Sequence, residues 1–130
     1  MKNIFFILLS MVCLITSCSE SEEIIPEEVP TRLPSSISLT VVRCDAQVDP
    51  FCDNPELVVG ANMLVYPSAA ARMANDSLLG QCTTNQLGEC RVNNLDLDTH
   101  FLLITTPSGD EELVEQETPA GTNSFLEVIL

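Results

Sequence analysis

The chain has 130 residues, with 19 acidic side chains against five basic ones and a formal net charge of -14. Such a surface repels phosphate backbones and anionic headgroups, which excludes nucleic acid as a partner and makes solubility the ordinary meaning of the charge. The length suits one small domain plus a tether, and residues 37–130 carry enough Val, Leu, Ile and Phe to close a modest core.

Lys2 precedes an apolar run from Ile4 to Ile15, and Thr16 and Ser17 are the small residues a signal peptidase needs. The run falls short of the roughly 20 residues of a bilayer-spanning helix, so it is a targeting segment. Ile15-Thr16-Ser17-Cys18 resembles the lipobox of bacterial lipoprotein precursors. That resemblance implies a signal peptide of residues 1–17, removed in the mature protein, and a diacylated Cys18 at the new N-terminus. Each buried methylene contributes about 0.8 kcal/mol, and two or more acyl chains anchor durably, so a membrane is the first expected partner. Ser19 stands where an inner-membrane retention signal has Asp, and Ser19-Glu20-Ser21-Glu22-Glu23 is similar to the acidic export tags of outward-facing lipoproteins. The expected location is the outer membrane, with the domain exposed at the cell surface.

Residues 18–35 form the lipidated cysteine and a linker. Pro26, Pro30 and Pro34 bar a helix, and clustered glutamates oppose collapse, so the segment reads as a disordered tether, extended at up to about 3.1 Å per residue. Residues 36–130 form the domain. Ser36 to Cys44 alternates Ile37, Leu39 and Val41 against Ser38, Thr40 and Val42, the period of a strand. Asp45 to Pro55 breaks into a loop. Leu57 to Tyr66 reads as a second strand stopped by Pro67, and Ala69 to Ala74 as a connection too short to stand as a helix. Ser77 to Thr84 and the segment from Cys90 read as a hairpin turning at Asn85-Gln86-Leu87-Gly88, where glycine supplies a positive φ. His100 to Thr106, an edge strand from Glu112 to Thr118, and a terminal strand from Phe125 to Leu130 complete the set. About seven short strands without a strong helix argue for an all-β, Greek-key sandwich.

Cys44, Cys52, Cys82 and Cys90 remain once Cys13 leaves with the targeting segment and Cys18 is lipidated. An even count in an exported domain reads as two disulfides. Three pairings exist; joining Cys44 to Cys52 and Cys82 to Cys90 across a hairpin is the simplest. A four-thiolate zinc site is disfavoured, because seven residues separate each near pair instead of the two to four of zinc knuckles.

Val59-Gly60-Ala61-Asn62-Met63-Leu64-Val65-Tyr66, then Thr83 to Cys90, then Asn94-Leu95, together resemble the carboxypeptidase-regulatory-like, or transthyretin-like, β-sandwich domains. Asn85 stands where that pattern has Asp, Cys90 where it has an aromatic, and Asp98 where it has glycine. The resemblance covers about residues 57–105 and implies a structural or binding module without catalytic residues.

The chemistry-bearing candidates are few. His100 is the only histidine, and it reads as a surface residue at a strand end beside Asp98. Asp96 with Asp98, and Glu111 with Glu112, are carboxylate pairs in turn-like segments. Asp45, Asp49 and Asp53 recur in one loop and raise calcium as the alternative ligand. Asp76-Ser77-Leu78 resembles a short acceptor motif for O-linked glycans at Ser77. The reading is a non-enzymatic, cofactor-free, metal-free lipoprotein with a structural, adhesive or accessory role and an envelope protein or glycan as its partner. A small-ligand or calcium-binding surface protein is the alternative.

Overall fold

The structure, a computed structural model, describes residues 31–130. The expected targeting segment, Cys18 and the expected linker as far as Pro30 lie outside the described residues. From Ser35 the chain builds two four-stranded sheets packed face to face, the all-β sandwich expected from the strand pattern.

The first sheet is organised on β1 (Ser35–Arg43), whose Ile37, Leu39 and Val41 are at most 1% exposed. On one side lies β8 (Asn123–Ile129), parallel to it from Ser36 opposite Asn123 to Val42 opposite Ile129. On the other lie β5 (Glu89–Leu95) and the two-residue β2 (Glu56–Leu57), both antiparallel to β1. The second sheet is antiparallel throughout, in the order β4 (Gly80–Thr83), β3 (Asn62–Tyr66), β6 (Thr99–Thr105), β7 (Glu111–Glu117). Between the sheets, Ile37, Leu39, Val41, Val92, Leu95 and Val128 meet Ala61, Met63, Val65, Leu102 and Ile104. Burying each large aliphatic side chain contributes about 1.5–3 kcal/mol.

Three local expectations are corrected. The run from Leu57 to Tyr66 is two strands, because Gly60 turns the chain at a φ of 81°. Thr84 staples that break: its hydroxyl donates to Val58 O at 2.7 Å and accepts from Ala61 N at 2.9 Å. Ala69–Ala74 is a helix, α1. It is too short to form by propensity, and its neighbours hold it. Ser68 Oγ accepts from Ala71 N, Tyr66 Oη donates to Asn75 Oδ1 at 2.6 Å, and Arg72 donates to Leu102 O and Val114 O beside the Phe101 ring.

The third correction concerns the segment from Asn85 to Gly88. It is no hairpin: β4 belongs to the second sheet and β5 to the first, so the chain arches from one layer to the other. Bare backbone at Gly80 lets the layers meet closely here, since a Cβ there would lie 2.5 Å from Val92 Cγ1. Cys82 and Cys90 are bonded across the gap with a Cα separation of 5.8 Å, so this disulfide joins the two sheets. The second disulfide, Cys44–Cys52, closes the exposed loop that follows β1.

Candidate functional site

His100 is fully buried, not a surface residue, and this corrects the expectation made from its position at a strand end. Period two along β6 places it in phase with Leu102 and Ile104, facing the interior. Thr118 Oγ1 donates to Leu97 O at 2.8 Å, so its oxygen is free to accept from His100 Nδ1, 2.7 Å away. That fixes the neutral tautomer with its proton on Nδ1, and Nε2 has no partner among the described residues. The strap before β1 covers this end: Arg32 donates to Thr118 O and pairs with Asp98 at 3.0 Å. A ring closed off in this way cannot exchange protons with an external substrate, and its role is in packing.

Burial first, then the nearby Arg32 charge, holds His100 below the ordinary histidine value of 6.5, partly offset by Asp96. The unfolded chain therefore takes up a proton that the folded chain excludes. The His100 contribution is complete above pH 6.5 and is lost progressively as the pH falls below it. Denaturant unfolding across a pH series should show this slope in the parent, and His100→Gln should flatten it.

The carboxylate candidates separate. Asp45 accepts from Gln47 N and Asp49 from Asn54 N, which are turn-capping bonds, and those with the backbone at Asn54 and Asp53 hold the Asp49 carboxyl below its usual range. No three His, Cys, Asp or Glu side chains gather for a metal among the described residues. Glu111 and Glu112 lie in β7 and not in a turn, while Asp98 is the partner of Arg32. Ser77 is exposed just after α1, at a φ of 57°.

What the sequence reading missed is the outer face of the first sheet. Ser38, Thr40, Glu89 and Arg91 form a polar surface, beside which Phe125 stands 80% exposed over a shallow recess of about 390 Å³. Out-of-phase apolar residues on β8 were the available signal: Phe125 and Ile129 alternate against Leu126 and Val128, which face the core side. The arginines are already engaged: Arg32 with Asp98, Arg43 with Asp110, Arg72 with two carbonyls and Arg91 with Ser36 Oγ. The Asp110 carboxyl is held below its usual range chiefly by the Ser108 hydroxyl, then by Thr106 and Arg43.

No protein-family model matches the chain, and no curated protein matches it. Solved structures do resemble it. The Bacillus anthracis TIE protein aligns over 75% of this chain and 16% of its own, at 17% identity and a TM-score of 0.53. The major pilin subunit of Bacillus cereus aligns over 74% of this chain and 29% of its own, at 10% identity and a TM-score of 0.50. The likeness is one of fold. It places the sandwich among architectures built into much longer proteins, of which this chain spans less than a third.

Proposed function

We propose that the protein is a lipoprotein anchored through Cys18, whose sandwich serves a structural or adhesive role at the surface of the outer membrane. One observation carries the reading: Ile15-Thr16-Ser17-Cys18 sits directly behind an apolar run and ahead of an acidic, proline-broken spacer. The structural role draws support from the fold it shares with a pilin subunit and from the resemblance to transthyretin-like modules. The closure of His100 from solvent supports a non-catalytic role as well. Ser77, on an exposed turn, is the proposed glycan acceptor.

Mass spectrometry of the protein extracted from cell envelopes tests the anchor. The expected N-terminal peptide begins at Cys18 and carries acyl chains, and Cys18→Ser shifts the protein out of the membrane fraction. An unmodified thiol at residue 18, or a product retaining residues 1–17, overturns the reading. Protease treatment of intact cells should remove the sandwich if it faces outward.

A further inference from the structure

The two sheets expose strand edges of very different character. β7 carries Glu111, Glu112, Glu115 and Glu117 along its length, a charge density that opposes pairing. β5, the other long edge of the first sheet, carries Glu89 and Arg91 and is tied to the β4 edge by Cys82–Cys90, and β2 has only two residues. β8 is seven residues long, carries Glu127 as its one charge, and pairs only with β1 among the described residues.

The ladder shows which of its backbone groups are free. Thr122 O accepts from Ser36 N at one end, while Leu130 N donates to Val42 O and Leu130 O accepts from Cys44 N at the other. Alternation in a parallel pair then directs Ser124, Leu126 and Val128 toward β1. The N–H and C=O groups of Phe125, Glu127 and Ile129 face away from it. Their side chains stand on the outer face, with Phe125 80% and Ile129 57% exposed. An apolar edge with unpaired donors and acceptors is a template for another strand.

The surroundings select what that strand carries. β7 and β8 run in opposite directions along this side of the sandwich: Ser124 Oγ donates to Glu117 O at one end, and Asp110 and Leu130 share a recess at the other. Glu112 is thereby brought near the level of Val128. A second copy is a poor match, because it would bring two glutamate-lined β7 edges together.

We propose that β8 accepts an extended segment of a partner protein as an added strand of the first sheet. That segment has apolar side chains on the outer face, against Phe125 and Ile129, and basic ones on the opposite face, toward Glu112. The proposal names the kind of partner for the role given above, and rests on that reading only for the compartment in which the two meet.

The probe is a labelled peptide of alternating lysine and valine, matched to the seven residues of β8, titrated into the full-length protein with fluorescence anisotropy as the readout. Two changes should each weaken binding by about tenfold or more, because each removes ladder bonds. One is N-methylation of alternate peptide amides, which alters neither the peptide's charge nor the protein. The other is Glu127→Pro, whose lost N–H faces away from β1, with Glu127→Gln as the control for charge.

Binding that is absent, or that survives N-methylation, overturns the proposal, since the second result means charge attraction alone. Self-association of the protein abolished by Glu127→Pro also overturns it, by assigning the edge to a second copy. None of these outcomes depends on lipid at Cys18, so the anchor and the edge fail or stand separately.

Discussion

Leu102→Ala is expected to lower the unfolding free energy by about 2–5 kcal/mol, which for a domain of this size moves the thermal midpoint down by about 10 °C or more. Leu102 is fully buried on β6, the second-sheet strand held between β3 and β7, opposite Val65 on one side and Val114 on the other. Truncation leaves a cavity between two layers that the inter-sheet disulfide keeps from closing freely. Leu113→Ala is the informative contrast. Leu113 sits one register position away, opposite Leu103, but is 59% exposed, so its loss should cost no more than about 0.5 kcal/mol. Calorimetric scans of the two variants decide it; similar midpoints would mean that the two sheets do not meet through Leu102.

Replacing both Cys82 and Cys90 by serine is expected to cost about 2–4 kcal/mol. Cys44 and Cys52 enclose the same number of residues, so loop-closure entropy alone predicts equal costs for the two disulfides. The surroundings differ. Cys82 and Cys90 pack against the core and tie opposite sheets, so serine there also places polar groups against apolar neighbours. The loop behind Cys44 is exposed and can stay loose in the folded protein when its bridge is gone, which returns part of the entropy. Guanidinium unfolding should therefore show a clearly larger fall in midpoint for the Cys82/Cys90 pair than for the Cys44/Cys52 pair.

The elements legible in the sequence are those whose signal is local. Ile37, Leu39 and Val41 alternate cleanly because β1 has one face on the core, and the glutamates of β7 mark an edge because charge there meets water. The features that escaped depend on distant partners. The six residues of α1 have too little helix of their own, and Tyr66, Leu102 and Val114 supply the bonds that hold it. Spacing from Cys82 to Cys90 is the same whether the chain folds back within a sheet or crosses between sheets, and contacts such as Gly80 against Val92 decide which. His100 was readable: its phase with Leu102 and Ile104 points inward, and only its place at the strand end beside Asp98 argued for the surface. The β8 edge was legible as a strand but not as an open one, since openness is a property of what lies beside it.

The parallel course of β1 and β8 has a mechanical consequence. The chain enters this pair at Ser35 and leaves it at Ile129, at opposite poles of the sandwich. Tension applied between those two points drags the strands lengthwise past one another, so the bonds from Ser36 to Val42 bear the load together. A hairpin pulled from its open end unzips one rung at a time. The geometry suits a body that must stay folded while its two poles are pulled apart.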